Sequence, residues 1–437
     1  MPTDPCQVFA DNVQAIQHEL TLPPPLNSLG KPIVSYETLL RTQLAEAEAA
    51  LATCRQNHPR TVTVTGTPVA ALSAFDDAIK TFMIDNGVTA GQLTIIKNGQ
   101  NKLAHAYTGD WSGYPTTQPQ TLFRLASCSK AFTCAAIQNL FDAGTLKPSD
   151  AVFPLLNITE KALASQNPDP NINKITVENL LNHAGGWNDH VPYKIPPNTN
   201  IPNYPPGTIV PASGFDPVFQ TRAITLNLGL TGPPAKRDVA RYMYGEPLQF
   251  PPGALNYTTS GTNSYSNFGY VLLGLVVEVI SQMPYIDYVR KQVLEPIGIN
   301  DVFVSKMLTG SLYPREVIYD DPGSGLNGLE PHATIIAPYV AGGAGLVTEL
   351  CDSAGGLMTT ATALAQFIGQ YPAWGVGHGR APGSSRTGSE SGVSSLAASR
   401  NDGVDFTYIF NTRSFTNGNA LKTLGDALDH LFNTVSI

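Results

Sequence analysis

Two β-hairpin patterns, one near each end of the chain, most constrain the fold. In GQLTIIKNGQNKLAHAYTG, two strand-like runs flank Asn98-Gly99, the strongest short-range signal for a two-residue hairpin turn. The segment GVSSLAASRNDGVDFTYIFNTRS repeats the pattern around Asp402-Gly403. Mostly helical sequence separates the two. We therefore predict an α+β fold in which both ends build one antiparallel sheet flanked by helices, with a mostly helical domain inserted at roughly residues 140–340.

Helical periodicity predicts a helix beside each hairpin. Apolar residues recur at helical spacing from Val69 to Ile84 and again near the C-terminal end. These faces comprise Leu72, Phe75, Ile79, Phe82 and Met83 in the first segment, and Leu421, Leu424, Leu428 and Leu431 in the second.

The N-terminal segment has a separate character and predicts a helical hairpin. Asp11–Leu20 and Ser35–Cys54 have helical patterns, and a proline-rich link joins them. A closed hairpin would bring Cys6 and Cys54 close enough to pair. The odd total of five cysteines leaves at least one thiol free.

The length of 437 residues allows more than one structural unit. We predict an N-terminal helical extension of residues 1–65 and a main domain of residues 66–437 that contains the helical insertion. The pattern does not indicate what the extension does. A hydrophobic content of 42% allows a large buried core.

Charge and hydropathy bear on possible partners and location. The net charge is −8 without a basic block, which argues against nucleic acid or an anionic membrane as the main partner. The longest apolar run, Tyr270–Ile280, is too short for a transmembrane segment and predicts a buried helix. No signal peptide is recognisable in the first residues. Low charge with abundant Thr, Asn, Pro and Gly nevertheless favours a periplasmic or secreted protein.

The eight histidines show no paired ligand spacing, so neither a metal nor a cofactor is expected.

A Ser-x-x-Lys pattern occurs in FRLASCSKAFTCAAIQNL. Ser127 falls at the predicted start of a helix, and Lys130, three residues later, lies on the same face. A desolvated lysine at the positive end of a helix dipole can accept a serine proton. Ser129 points elsewhere at this spacing, so Ser127 is the predicted nucleophile.

A second pattern, Tyr-x-Asn, lies between a Pro-Pro-Gly turn and an apolar helix. A phenolate at Tyr265 near two cations could act as a general base. The amide of Asn267 could orient Lys130 and a substrate carbonyl. Tyr257, eight residues earlier, is the less favoured tyrosine.

A third pattern is the run Arg386-Thr387-Gly388-Ser389, which leads into a predicted strand. Small residues at a strand edge let a substrate lie against the backbone. The N–H of Ser389 could then supply an oxyanion donor beside that of Ser127.

Ser-x-x-Lys, Tyr-x-Asn and basic-Thr-Gly, in this order, resemble the penicillin-binding-protein-like serine hydrolases, which include class C β-lactamases, DD-peptidases and esterases of the same fold. The resemblance covers roughly residues 67–437. It extends to LLNHAGGW, FPPG, YSNFGYVLLGLVVEVIS, VLEPIGI and GGLMTTATALAQF. It implies that Ser127 is the nucleophile, Lys130 the activating base and Tyr265 the proton shuttle. The implied substrate-contacting and oxyanion groups are Asn267, Arg386, Thr387, Gly388 and Ser389. His183 would belong to a structural turn beneath the site.

The resemblance implies a serine hydrolase (EC 3) that acts by acyl transfer through an acyl-Ser127 intermediate on a small-molecule ester, lactam or peptide. Arg386 stands where lactamases usually carry lysine and many of the esterases carry histidine, and arginine cannot shuttle protons. We expect a carboxylesterase for short-chain or aromatic esters, with an entrance lined by Trp187, Tyr193 and Tyr204.

Other functions remain open at this point. One is a class C-like β-lactamase, and another is a D-amino-acid peptidase or amidase. A non-catalytic binding protein of the same fold would typically lack Lys130 or Tyr265, and both are present. The oligomeric state is not predicted.

Overall fold

A computed structural model describes residues 5–25, 34–189, 193–194, 209–210, 216–254, 257–258, 261–262, 264–320, 324–334, 336–338 and 347–437. Its helices are α1 (Gln7–Glu19), α2 (Val34–Asn57), α3 (Ser73–Asn86), α4 (Ser129–Asp142), α5 (Val152–Leu155), α6 (Val177–Leu181), α7 (Thr221–Leu228), α8 (Lys236–Tyr244), α9 (Asn267–Ser281), α10 (Tyr285–Tyr288), α11 (Ala361–Ile368) and α12 (Ala420–Thr434).

The strands in the described ranges are β1 (Val62–Thr65), β2 (Ala90–Lys97), β3 (Gln100–Gly109), β4 (Phe123–Arg124), β5 (Tyr193–Lys194), β6 (Ile209–Val210), β7 (Tyr257–Thr258), β8 (Gly261–Thr262), β9 (Phe303–Val304), β10 (Ser324–Leu326), β11 (Ile336–Pro338), β12 (Leu357–Thr359), β13 (Ser385–Glu390), β14 (Val393–Ser399) and β15 (Val404–Phe410). The largest sheet has the order β1-β3-β2-β15-β14-β13.

The chain divides into two compact units. The first comprises Met1–Gly91, Ala106–Gln118 and Phe415–Ile437, and the second comprises Gln92–His105 and Pro119–Ser414.

The first unit contains the N-terminal hairpin and the paired helices α3 and α12. A disulfide between Cys6 and Cys54 joins α1 to α2, with Cα atoms 5.7 Å apart. The predicted hairpin and its cysteine pair are therefore confirmed. The apolar faces of α3 and α12 meet where the rings of Phe75 and Phe432 stand 4.9 Å apart. Strand β1, which the sequence did not predict, pairs with the end of β3.

The second unit contains the predicted hairpins. Asn98 and Gly99 have φ values of 51° and 77°, the positive φ that a type I′ turn requires at both central residues. Near the other end, β13, β14 and β15 form an antiparallel meander in which Ser389 lies opposite Ser394. In a small sheet, β12 pairs with β4 and β9. Strand β4 comes just before the Ser-x-x-Lys segment in the chain.

Between residues 140 and 340, the described elements are mainly the helices α5 to α10, with strands of only two or three residues. The α+β prediction and the mostly helical insertion are thus confirmed. The division into an extension of residues 1–65 and a domain of residues 66–437 stays a prediction. Tyr204 and the side chain of Tyr193, expected at the entrance, lie outside the described residues.

Within the described residues, no single helix is long and apolar enough to cross a membrane. One pair, Asn267–Ser281 with Tyr285–Ile297, passes that test jointly but is bent by 72°.

Candidate active site

Ser127 sits in a tight turn that the neighbouring backbone holds in place. Leu125 N–H donates to the carbonyl of Leu357 on β12, and a 3₁₀ turn over Ala126–Cys128 then leads into α4. Ala126 has a φ of 46°, a left-handed conformation that is uncommon for a residue other than glycine. Strained backbone of this kind clusters at functional sites.

Lys130 is fully buried and bonded on three sides. Its Nζ lies 3.2 Å from Ser127 Oγ, 2.7 Å from Asn267 Oδ1 and 2.6 Å from the carbonyl oxygen of Ala354. All three partners can accept a hydrogen bond. A neutral amine that donates its two hydrogens to Asn267 and Ala354 would therefore direct its lone pair towards Ser127 Oγ.

Tyr265 completes the cluster. Its Oη lies 2.7 Å from Ser127 Oγ, and Lys130 Nζ lies 5.0 Å from the centroid of its ring. The imidazole of His183 stacks on the same ring at 4.3 Å. His183 Nδ1 also lies 3.2 Å from the backbone nitrogen of Ser266. His183 therefore holds the Tyr-x-Asn segment by stacking on Tyr265 and by contacting the backbone of Ser266.

Ser129, the other serine of the motif, faces away from this cluster. Its side chain is buried and accepts a hydrogen bond from Leu357 N–H at 3.1 Å. The expectation that the two serines point in different directions is correct.

Asn267 is the first residue of α9, and Ser266 caps that helix by accepting from Gly269 N–H. The Nδ2 of Asn267 donates to Asp216 Oδ2 at 2.9 Å and to Asp189 Oδ2 at 3.3 Å. Sequence reasoning did not find these two acids, because they come from loops without a recognisable motif. The amide was expected to face a substrate carbonyl, whereas its nitrogen faces these carboxylates.

The two acids affect each other's protonation. Burial and the charge of Asp216 raise the pKa of Asp189 well above its usual range. Burial also raises the pKa of Asp216, while hydrogen bonds from Asn267, from Val218 N–H and from Asp189 oppose that shift. Burial therefore makes both acids hold a proton more readily than a free carboxyl group does.

Strand β13 lies directly against the Ser127 turn. A methyl group on Gly388 would overlap the carbonyl oxygen of Leu125 and stand 3.1 Å from Ser127 N. Ser395 Oγ, on the adjacent strand β14, donates to the same carbonyl at 2.8 Å. Glycine at this position therefore permits the close approach of β13 to the serine.

The other third-motif side chains alternate across the strand. Arg386 is only 2% exposed, and its Nε donates to the carbonyl of Ala373 at 2.9 Å. Its guanidinium lies 4.1 Å from the centroid of the Trp374 ring. Thr387 and Ser389 are exposed. The cation of this motif is therefore packed under an aromatic ring, while the two hydroxyls face outwards.

A cavity of about 430 Å³ opens over these groups. Ser127, Tyr265, Asn267, Arg386, Thr387 and Ser389 all line it, together with Asp189, Phe219, Trp374, Glu390 and Arg413 among others. The structure thus brings the predicted motifs to one cavity.

Trp187 does not line this cavity: its side chain is buried and packs edge-on against Phe268 at 4.8 Å. The predicted role of Trp187 at the entrance is wrong, because its apolar ring is part of the core.

A buried ion-pair network supports the turn that holds Lys130. Lys236 Nζ lies 2.7 Å from Asp352 Oδ1 and 2.6 Å from Glu278 Oε1. Thr133 Oγ1, on α4, donates to the carbonyl of Ser353 at 2.6 Å. These contacts fix the backbone immediately before Ala354, whose carbonyl accepts from Lys130. Lone charged residues scattered along the chain gave no sequence signal for this network.

Comparison with known proteins shows which family the chain resembles. The Beta-lactamase family model matches residues 75–408. A "Putative D-alanyl-D-alanine carboxypeptidase" of Escherichia coli (strain K12) is 25% identical over 194 residues, which are 44% of this chain and 35% of that protein. "Protein flp" of Staphylococcus aureus (strain MW2) is 26% identical over 211 residues, 48% of this chain and 34% of that protein. The chain spans about a third of the length of these curated relatives.

Solved structures show the same fold. The octameric penicillin-binding protein homologue from Pyrococcus abyssi is 18% identical, with a TM-score of 0.51 over 81% of this chain and 77% of that one. The D-amino acid amidase from Ochrobactrum anthropi SV3 is 17% identical, with a TM-score of 0.52 over 84% of this chain and 98% of that one. Since the family model covers most of the sequence, the chain belongs to the Beta-lactamase family.

Proposed function

We propose that this protein is a serine hydrolase that acts by acyl transfer through an acyl-Ser127 intermediate. The observation that carries the proposal is the contact of Ser127 Oγ with both Tyr265 Oη, at 2.7 Å, and Lys130 Nζ, at 3.2 Å. A nucleophile within hydrogen-bond reach of a proton acceptor, itself oriented by a third group, is the arrangement that covalent catalysis requires.

The reaction has two halves. In the first, Ser127 Oγ attacks the acyl carbon while its proton passes to Lys130 or Tyr265. The bond from the acyl carbon to the leaving group then breaks, and Tyr265 returns a proton to the leaving alcohol or amine. In the second, a water molecule attacks the acyl carbon and releases the acid, with the same groups moving the proton in reverse.

The remaining groups have supporting roles in this proposal. The N–H groups of Ser127 and Ser389 stabilise the oxyanion, since β13 approaches the Ser127 turn closely at Gly388. Asn267 orients Lys130. Arg386 supplies a fixed positive charge in the wall of the cavity that Tyr265 also lines. Thr387, exposed in the cavity, contacts the substrate.

We favour carboxylic esters with short or aromatic acyl groups as substrates. A lactam or a D-peptide carries a carboxylate that needs an accessible cation beside the serine. Arg386 is 2% exposed, lies against Trp374 and donates to the carbonyl of Ala373. Arg386 is therefore poorly placed to take such a group, which would have to reach Arg413 in the cavity lining instead, whereas a simple ester needs no cation. The cavity walls at Phe219 and Trp374 suit an apolar acyl chain.

A second candidate is amide or D-peptide hydrolysis. It is supported by the names of the relatives, a D-alanyl-D-alanine carboxypeptidase and a D-amino acid amidase. Acylation of the serine follows the same chemistry in both cases, so the cluster alone does not separate the two candidates.

A substrate screen tests the proposal. Short-chain p-nitrophenyl esters, nitrocefin, a D-Ala-D-Ala peptide and D-phenylalanine amide would be compared with wild type and Ser127→Ala. We expect kcat/KM to be highest for the esters and lost in the variant. Nitrocefin turnover at about 10⁴ M⁻¹s⁻¹ or better would replace the esterase proposal with a lactamase. Absence of turnover with every substrate would favour a non-catalytic binding protein.

We also propose that the protein works in an oxidising compartment, such as the periplasm or the outside of the cell. The Cys6–Cys54 disulfide supports this, because disulfides persist mainly in such compartments.

A further inference from the structure

The side-chain amide of Asn267 lies between Lys130, which contacts its oxygen, and two acids, which contact its nitrogen. Its Oδ1 accepts from Lys130 Nζ at 2.7 Å, and its Nδ2 donates to Asp216 at 2.9 Å and Asp189 at 3.3 Å. The contact with Lys130 Nζ needs an acceptor on the amide, and the contacts with the carboxyl oxygens of the acids need a donor. The acids and the lysine therefore require the same rotation of the amide.

Each acid is itself held by backbone contacts. The backbone N–H of Asp189 donates to the carbonyl of Tyr265 at 2.7 Å, and Asp189 Oδ2 accepts from Asn267 N–H at 2.7 Å. Asp216 Oδ1 accepts from Val218 N–H at 3.1 Å and caps the 3₁₀ turn Pro217–Phe219. The two side chains are 8% and 1% exposed. Neither acid can turn away from Asn267 without losing these bonds.

This pair of buried acids is unfavourable for the stability of the folded state. Two buried carboxyl groups in contact lose hydration and repel each other unless they share a proton. An apolar pair of similar size would fill the same space without that cost. What the acids provide in return is two carboxyl oxygens that accept hydrogen bonds from Asn267 Nδ2.

We propose that Asp189 and Asp216 are positioning residues for the nucleophile: they fix the rotation of the Asn267 amide so that its oxygen faces Lys130, which keeps Lys130 Nζ against Ser127 Oγ. Only the kinetic consequence of this inference rests on the proposed function. Without the acids, the amide can rotate and present its NH₂ group to Lys130 Nζ, which would remove the hydrogen bond that holds Nζ beside the serine.

The sharpest test is a pair of substitutions at Asp189. Asp189→Asn keeps the contacts of the acid, because its oxygen can accept from Asn267 and its NH₂ can donate to Asp216. Asp189→Ala removes both contacts. We expect kcat for a p-nitrophenyl ester to fall about 10- to 100-fold in the alanine variant, the scale of a small misplacement of reacting groups, with little change in KM. The asparagine variant should regain most of that loss.

Two further variants complete the design. Asp216→Asn has a single acceptor oxygen for two donors, so its kcat should also fall about 10- to 100-fold; it decides the question if Asp189→Ala does not fold. Asp405→Asn is the matched control, since Asp405 is a buried acid that accepts from Arg380 Nε at 2.8 Å, away from the cluster. It should lower the unfolding temperature and leave kcat unchanged.

The inference is overturned if folded Asp189→Ala keeps wild-type kcat, if its loss appears in KM, or if Asp189→Asn is equally impaired. Crystal structures of wild type and Asp189→Ala give an answer that does not depend on activity. We expect the Asn267 amide to rotate, or Lys130 Nζ to leave hydrogen-bond range of Ser127 Oγ, in the variant. An unchanged cluster contradicts the inference. If wild type hydrolyses nothing, the proposed function fails while this comparison still decides the positioning role.

Discussion

Tyr265 Oη lies 2.7 Å from Ser127 Oγ, although 138 residues separate them in the chain. The contact joins the start of α4 to the loop before α9. Because Lys130 reaches the same oxygen from the other side, the serine proton has two acceptors within reach. Of these two groups, Tyr265 is partly exposed and lines the cavity, whereas Lys130 is buried.

Replacement of Tyr265 by phenylalanine tests this contact. We expect a loss of about 10²–10⁴ in kcat/KM, the range for removal of an acid–base group. Tyr107→Phe is a suitable control, because its hydroxyl donates to Asp76 at 2.7 Å and has no part in the cluster. A near-normal rate in Tyr265→Phe would assign the base role to Lys130 alone.

Gly388→Ala tests the close approach of β13 to the serine. The added methyl group would meet the Leu125 carbonyl and Ser395 Oγ, so the strand must move away from Ser127 N. We expect at least a roughly 100-fold loss of activity and a destabilisation of about 1–3 kcal/mol in urea titrations. Gly425→Ala, in the interior of α12 with open space around it, should instead stabilise the protein. Equal activity of Gly388→Ala and wild type would contradict the packing described here.

Much of the fold and part of the cluster could be predicted from local patterns. The Asn98-Gly99 turn and the helical faces of α3 and α12 depend on spacing alone, so the sequence predicts them. Ser127 and Lys130 are three residues apart on one turn, which fixes their proximity before any tertiary contact forms.

The rest depends on contacts between distant segments. Asp189 and Asp216 meet only because Asn267 lies between their two loops. The sequence predicts Trp187 at an aromatic entrance, yet its ring is buried against Phe268. Burial of a particular side chain follows from what packs over it, and the sequence does not state that.

Glu246 predicts a pH dependence of stability. Burial raises its pKa from 4.5 to about 7, although a hydrogen bond from Gln166 Nε2 opposes the shift. The folded state therefore binds more protons than the unfolded state between these values, and stability falls as pH rises through that window. The loss from this group is on the order of 3 kcal/mol. Urea titrations from pH 4 to pH 8 should show a shallower fall in Glu246→Gln than in wild type. Parallel curves for the two proteins would contradict this.

The cysteines can be counted directly. With Cys6 and Cys54 bridged, denatured but unreduced protein should show three reactive thiols, from Cys128, Cys134 and Cys351, and five after reduction. In the native state these should react slowly, because all three are buried and burial raises the pKa of Cys128 to about 11. Five thiols without reduction would exclude the bridge.

Covalent labelling of Ser127 tests the central claim most directly. A fluorophosphonate probe, which reacts with activated serines, would be incubated with wild type, Ser127→Ala and Ser129→Ala, and the modified peptide located by mass spectrometry. We predict one label on Ser127, none on Ser127→Ala together with loss of ester hydrolysis, and continued labelling of Ser127 in Ser129→Ala. A label on Ser129, or hydrolysis that survives in Ser127→Ala, would contradict the account.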